Sequence, residues 1–310
     1  MRRRDPSPAA LVIVTVLAAG CIVRSPPGDP TNGPALLPCA GPTCLRVVTW
    51  NVHGIPFMSP YPTARLRNVA AKIHEQQPDL VLLQEVWSYA YARQLGRDLD
   101  GEYRVTTASG CGRPFPCGGL AILVRVGSGW AASVPTFVAY TRSAPWYRFR
   151  EWDGIAGKGM LTTRLVRGSE ALAIVDTHLQ TEYARYGRNY AKLRRRQLEQ
   201  LDATVRAAFG DTPVLIGGDF NTAPGEASGL YESHLARLGD DRTRELRIAC
   251  GECGTRPVFT RPARWLDYLV TRHFPATSAV ERILNEALDR PFSDHDGLLG
   301  RFEYAPGALR

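Results

Sequence analysis

The sequence predicts an α/β layered domain. Short runs rich in Val, Ile and Leu and bounded by Gly, Pro or Asp recur at 45–52, 80–86, 120–124, 171–179, 214–220 and 265–270, as buried strands do. Helical patterns lie between several of them, at 63–76 and 189–209. From Leu45 onward no linker, repeat or low-complexity block interrupts the chain, so 45–310 reads as one domain. Buried strands alternating with amphipathic helices stack as layers. The pattern leaves open whether the strands form one sheet or two.

The composition agrees with a globular chain. Of 310 residues, 44% are hydrophobic and 22% charged, which excludes a disordered chain, a collagen-like rod and a polytopic membrane protein. Lys and Arg number 38 against 30 Asp and Glu, a net charge of +8. That balance suits an anionic partner, whether nucleic acid, a phospholipid surface or a phosphorylated substrate, and does not choose among them.

Residues 1–20 read as a signal peptide. Arg2, Arg3 and Arg4 precede an apolar run at 9–19, and Ala18, Ala19 and Gly20 lead into Cys21. The run is shorter than the roughly 20 residues that span a bilayer, and the charged, apolar, small-residue order is that of an export signal. Leu17-Ala-Ala-Gly-Cys21 resembles a bacterial lipobox, with Ala18 where a larger aliphatic residue is usual, so Cys21 is the expected lipidation site. The competing reading is an ordinary signal with a coincidental cysteine. Residues 21–44 then carry Pro26, Pro27, Pro30, Pro34 and Pro38. Such a segment cannot build a core and suits a semi-rigid tether. The expected localisation is a membrane-attached lipoprotein of the cell envelope, or secretion.

Each predicted element ends in a polar residue. The first strand, Val47-Val-Thr-Trp-Asn51, ends in an amide. The helix that follows places Leu66, Val69, Ala70 and Ile73 on one face. Asp79-Leu-Val-Leu-Leu-Gln-Glu85 ends in a carboxylate, and Ala173-Ile-Val-Asp-Thr-His178 in an imidazole. The second helix puts Leu193, Gln197, Leu201, Val205 and Phe209 near one stripe, with Lys192 and 194–196 elsewhere around it. Val214-Leu-Ile-Gly-Gly-Asp219-Phe-Asn221 ends in a carboxylate and an amide, Trp265-Leu-Asp267-Tyr embeds an acid, and Ser293-Asp294-His295 precedes the last apolar run. A charged group at a core edge is costly unless it is paired or bound to an ion. Six such places drawn from Asn, Asp, Glu and His exceed what structural polarity needs. They match the inventory of a hard, oxygen-ligated Mg²⁺ acting on a phosphate.

The remaining six cysteines fall in local pairs, Cys39/Cys44, Cys111/Cys117 and Cys250/Cys253. An even number in an exported chain reads as structural disulfides. Six cysteines allow 15 connectivities, and local pairing is the favoured one. Metal or redox chemistry at Cys250-Gly-Glu-Cys253 is the alternative, although no second Cys/His pair at zinc spacing accompanies it.

In order, Thr49-Trp-Asn51-Val, Leu83-Gln-Glu85-Val, Asp176-Thr-His178-Leu, Gly218-Asp219-Phe-Asn221, Leu266-Asp267-Tyr and Ser293-Asp294-His295 resemble the motifs of the endonuclease/exonuclease/phosphatase superfamily. The resemblance runs from about Arg46 to Phe302. It implies a deoxyribonuclease I-like α/β (α+β) fold, a four-layer sandwich of two packed β-sheets flanked by helices. It implies Mg²⁺, with Mn²⁺ as an alternative ion, bound by Glu85 with Asn51 beside it. Asp219 and Asn221 would position the attacking water and the phosphate. His295, oriented by Asp267, would be the general base or phosphate-side catalyst, with Asp294 near the metal. His178 would stabilise developing charge or assist the leaving group.

Finer features resemble the neutral sphingomyelinase branch: Asn51-Val-His-Gly54-Ile-Pro56, although an aromatic is commoner where His53 stands, and Glu85-Val-Trp87. Thr177-His178-Leu-Gln-Thr-Glu182-Tyr183 and Asp153-Gly-Ile-Ala-Gly157-Lys158 extend the likeness. Asp153 and Lys158 match a pair used near the active site in that group; an ordinary surface ion pair is the other reading. The resemblance implies phospholipase C-type cleavage of a sphingomyelin-type lipid, with a phospholipid or membrane surface as partner and no protein partner. The stretch 140–152 interleaves Tyr140, Trp146, Tyr147, Phe149 and Trp152 with Arg142, Arg148 and Arg150. That composition suits a lipid headgroup boundary, packing under a loop, or stacked bases. The alternatives are a secreted deoxyribonuclease I-like nuclease with nucleic acid as partner, another phosphatase of the superfamily, or a binding protein that has lost its chemistry. His53, His74, His234 and His273 read as structural or surface residues.

Overall fold

The computed structural model describes residues 41, 43–55, 61–112, 114–145, 147, 151–183, 189–251, 253–256, 263–283 and 292–309. The export signal, Cys21, the expected tether up to residue 40, with Cys39, and residue 42 lie outside the described residues, as do Pro56, Trp146, Arg148, Phe149 and Arg150, whereas Cys44, expected to close the tether, opens the first strand. Along the chain run β1 (Cys44–Gly54), α1 (Pro62–Gln76), β2 (Leu80–Val86), α2 (Tyr89–Asp98), β3 (Tyr103–Thr106), β4 (Ala121–Arg125), β5 (Ala131–Ala132), β6 (Thr136–Ala139), α3 (Trp152–Ala156), β7 (Gly159–Arg167), β8 (Glu170–His178), α4 (Ala191–Phe209), β9 (Val214–Asp219), α5 (Ala236–Leu238), β10 (Asp240–Asp241), α6 (Arg244–Cys250), β11 (Asp267–Arg272), β12 (Ala276–Ile283) and β13 (Gly297–Tyr304).

Among the described residues the strands form two sheets. One has the order β12-β13-β1-β2-β4-β3, and the other β10-β11-β9-β8-β7-β5 with β6 also on β7. The inner faces meet in one apolar core, where Val47, Leu80, Leu82 and Ile122 of the first sheet join Leu161, Ile174 and Leu215 of the second. They approach closely at Gly217, whose missing Cβ would lie 2.6 Å from Leu82 Cδ1 and 3.3 Å from Thr49 Cβ. α1 and α2 cover the outer face of the first sheet through Leu66, Val69, Ile73 and Leu95 on Val48, Trp50 and Leu83. α4 presents Leu198, Leu201 and Val205 to the core of the second. Helix, sheet, sheet, helix are the four expected layers, and burial on this scale is the main favourable term in such a fold.

The topology brings the polar strand ends together. β1 runs parallel to β2, and β8 parallel to β9. Antiparallel pairing places Asp267, at the start of β11, opposite Asp219, at the end of β9. β13 returns antiparallel beside β1, so His295, just before it, comes to the same end. Period-2 alternation then aims Asn51, Gln84, Asp176, His178 and Asp219 into the space between the sheets.

Arg194 departs from the expected helix surface. It is fully buried on α4 and pairs with Glu182 at 2.8 Å and Glu226 at 3.6 Å, because Gln197 and Leu198 define the buried stripe and Leu193 lies at its margin. A buried arginine needs such carboxylates. Cys111 is joined to Cys117 and Cys250 to Cys253.

Candidate active site

At the shared end of β1, β2, β8 and β9, the side chains converge on one cleft. Asn51 Nδ2 donates to Glu85 Oε1 and to Asp219 Oδ2, each at 3.1 Å, and its Oδ1 accepts from the His53 amide at 3.0 Å. Asn51 thus clamps the two carboxylates across the sheet gap. The register of β1 on β2 shifts between Asn51 and Gly54, and Glu85, His53 and Asn221 all have positive φ, of 63°, 48° and 48°. Non-glycine residues held there cost on the order of 1 kcal/mol each, and such strain collects at functional sites.

His295 Nδ1 lies 2.7 Å from Asp267 Oδ2, and its Nε2 faces Asp219 Oδ2 at 3.7 Å. Ser293 Oγ accepts the His295 amide at 3.1 Å and Trp50 Nε1 donates to the His295 carbonyl at 2.9 Å, fixing the turn. Burial disfavours the imidazolium, but Asp267, Asp219 and Asp294 outweigh it and raise the His295 pKa to about 10. Asp219 moves the opposite way to an ordinary salt-bridged acid: burial and then Asp267 raise its pKa, against His295, His178 and Lys158. Asn221 donates its amide to Asp219 Oδ1 at 2.9 Å and its Nδ2 to the Leu179 carbonyl at 3.2 Å.

His178 is buried, with Nε2 3.4 Å from Asp219 Oδ2. Neither ring nitrogen has a hydrogen-bond partner among the described residues. Burial and then Lys158 push its pKa down to about 4, so it is a neutral imidazole near pH 7. A buried donor with nothing to bind is costly unless a ligand completes it.

Lys158 and Asp153 are both buried, with Nζ 3.0 Å from Oδ1. This is no surface pair. Asp153 Oδ2 also accepts from Gln180 Nε2 and the Thr181 amide, both at 2.7 Å. Lys158 acts electrostatically on Glu85, His178 and Asp219 alike. In the 140–152 stretch, Tyr140 packs inside, its hydroxyl 2.7 Å from Thr177 Oγ1, whereas Arg142 and Tyr147 are exposed.

The donor set fits a hard divalent cation at Glu85. Its Oε2 is buried without a hydrogen bond, and its carboxyl stays well below the usual range because His53, His178 and Lys158 overcome the opposing effect of burial. Ligand-type atoms of Asp219, Asp267 and His295 also lie within 4.8 Å of one another, but the close His295–Asp267 contact already engages two of them. Glu85 remains the better oxygen ligand.

Two side chains at the cleft went unread in the sequence. His53, expected to be structural or surface, lies between Glu85 Oε2 at 3.5 Å and Asp294 Oδ1 at 3.3 Å. The bulge after Asn51 turns it inward. Arg256 reaches Asp294 Oδ2 with Nη2 at 3.1 Å. No motif surrounds Arg256; only its position three residues past Cys253 could have drawn attention.

A cleft of this make-up, between two packed sheets, defines a class. The chain belongs to the Endonuclease/Exonuclease/phosphatase family, whose model matches residues 48–295. Among curated proteins it is similar to an inositol phosphosphingolipids phospholipase C of Schizosaccharomyces pombe, 30% identical over 58% of this chain and 42% of that one. It is also similar to a sphingomyelinase C of Bacillus cereus, 23% identical over 73% and 74%. The chain spans 42% to 60% of the length of the first curated relatives it matches. Of solved structures, TDP2 of D. rerio complexed with single strand DNA product has the same fold, with a TM-score of 0.66 at 21% identity over 84% of this chain and 100% of that one.

Proposed function

We propose that this chain is an Mg²⁺-dependent phosphodiesterase that cleaves sphingomyelin-type phospholipids in the phospholipase C manner, exported and lipid-anchored through Cys21. The observation that carries the chemistry is the facing of His295, held by Asp267 at 2.7 Å, onto Asp219 at 3.7 Å. Glu85 would hold the cation, which supplies positive charge against the phosphoryl oxygens; Mn²⁺ would serve the same ligands. Asp219, with its raised pKa, orients the attacking water and accepts its proton. His295 enters as the cation opposite the phosphoryl group, and neutral His178 donates a hydrogen bond to the charge that develops there. The water oxygen bonds to phosphorus as the bond to the lipid alcohol breaks, and the leaving alkoxide takes up the one proton that Asp219 received from the water. Lys158, fixed by Asp153, adds a permanent positive field.

The lipid preference is supported by the two curated relatives named for sphingolipids, and by the Asn51-to-Pro56 and Asp153-to-Lys158 segments of the sequence. A panel of sphingomyelin, phosphatidylcholine, inositol phosphates and plasmid DNA, each with Mg²⁺ and with chelator, tests it. Phosphocholine release from sphingomyelin without DNA nicking is the expected result. Mg²⁺-dependent nicking without lipid cleavage would transfer the chain to the nuclease reading.

A further inference from the structure

The cleft carries more charge than the proposed reaction has used. A phosphodiester anion must settle beside Glu85, Asp219 and Asp294, so cations have to face it. Lys158 is fully buried and held by Asp153, and His178 is neutral near pH 7. Neither presents an exposed positive charge to an arriving phosphate, and His295 is itself buried between Asp267 and Asp219. Arg256 differs: its side chain is 26% exposed, yet its Nη2 sits 3.1 Å from Asp294 Oδ2, and its guanidinium feels Asp294, Asp219 and Glu85 together. Asp294 has a second basic neighbour on its other oxygen, His53 Nδ1 at 3.3 Å.

The backbone that carries Arg256 is firmly built. The Arg256 amide donates to the Arg264 carbonyl at 3.1 Å, and the Asp296 amide to the Thr255 carbonyl at 2.7 Å. Thr255 Oγ1 accepts the amides of Leu266 and Asp267 at 3.0 and 3.1 Å, and the Cys250–Cys253 disulfide closes the turn before it. The segment is therefore tied to the residues that bear both halves of the His295–Asp267 pair. A planar guanidinium at the mouth, with donors in a fixed fork, matches a phosphate edge in a way an ammonium does not.

We infer that Arg256 is a substrate-binding residue, whose guanidinium, seated on Asp294, grips a non-bridging oxygen of the phosphoryl group. The inference rests on the phosphodiesterase reading, and its test separates the two. Inorganic phosphate binding is measured by calorimetry on the full chain, wild type against Arg256→Gln and Arg256→Lys, beside KM and kcat for bis(4-nitrophenyl) phosphate with Mg²⁺. Loss of a charge-assisted contact should weaken phosphate binding by about 10-fold or more in Arg256→Gln. KM should rise more than kcat falls, while the melting temperature of the variant stays close to wild type. Arg256→Lys keeps a cation beside Asp294 and should match the wild-type melting temperature while recovering only part of the phosphate affinity. Should Arg256→Gln destabilise the chain, Arg256→Lys still decides. Full phosphate affinity in a folded Arg256→Gln or Arg256→Lys protein, or a wild type that binds no phosphate, overturns the inference. If phosphate binding depends on Arg256 while no phosphodiester is hydrolysed, the inference stands and the assigned activity falls.

Discussion

Between the two sheets, directly beneath the cleft, the Asp176 carboxyl accepts from Gln84 Nε2 at 2.7 Å and from the Ala121 amide. Burial raises its pKa well above the usual carboxylate range, against those two hydrogen bonds. A neutral acid in the fold that ionises in the unfolded chain stabilises most below its unfolded value. That stabilisation fades as the pH rises through the folded value. Asp176→Asn should therefore flatten the fall in melting temperature as the pH rises above the ordinary aspartate value of about 4, leaving turnover within about 3-fold. Asp176→Ala removes the acceptor of the Ala121 amide and one of three acceptors around Gln84 Nε2, which keeps Thr49 Oγ1 and the Leu82 carbonyl, and should cost about 1–3 kcal/mol in denaturant titration. Identical pH profiles for wild type and Asp176→Asn would show that the carboxyl is ionised. At the cleft itself, Glu85→Ala, Asp219→Ala and His295→Ala should each lower turnover by at least about 100-fold; near wild-type turnover by a folded His295→Ala protein would refute its assigned role. These residues were legible because each interrupts an apolar run. Arg256 and His53 interrupt nothing. Their importance comes from a bulge and a disulfide-closed turn, neither of which has a periodic signature.

At the level of elements, the cleft depends on how β8 and β9 approach each other. Gly218 has φ 150°, and a Cβ there would fall 1.9 Å from the Thr177 carbonyl oxygen. Backbone cannot yield as a side-chain tip can. Gly218→Ala must therefore displace β9 from β8 just where Asp219 and His178 are presented, and we expect a loss of about 2 kcal/mol or more. Turnover should fall by about 10-fold or more even where the protein remains folded, since small misplacements of reacting groups are expensive. Wild-type stability and turnover in Gly218→Ala would mean that the strand ends can part without disturbing the cleft. The buried strands β1, β2, β8 and β9 were visible as continuous apolar runs. β7 and β12 were not, because each mixes buried and exposed positions, and β12 lies at a sheet edge with Thr277, Glu281 and Arg282 facing outward or half out. α4 was legible as a helix, and Gln197, Leu201 and Val205 of its expected stripe are buried, but Arg194 joins them in place of Leu193 because it meets carboxylates that precede and follow the helix.

For the whole molecule, the net charge of +8 acquires a location. Burial does not absorb it: among the described residues Asp79, Glu151, Asp153, Asp176, Asp219, Asp267, Asp294 and Asp296 are buried against Arg65, Lys158 and Arg194. The positive balance is therefore carried at the surface, where it suits any anionic partner and does not choose between lipid and nucleic acid. Proximity then becomes the stronger lever on substrate choice. A chain tethered by lipid at Cys21 meets membrane phospholipids at high effective concentration, whereas soluble polymers gain nothing from the anchor. Cys21→Ser should therefore leave hydrolysis of detergent-dispersed sphingomyelin within about 2-fold of wild type, since the cleft is untouched. On vesicles to which the lipidated protein is bound, the same variant should be slower by about 10-fold or more. Both rates are read as phosphocholine released at equal protein concentration, with mass spectrometry of the mature N-terminus showing whether the lipid is present. Equal rates on vesicles for a lipidated wild type and the Cys21→Ser chain would mean that the anchor does not deliver the substrate. An unmodified Cys21 thiol would remove the anchor itself and leave the choice between lipid and DNA to the cleft alone.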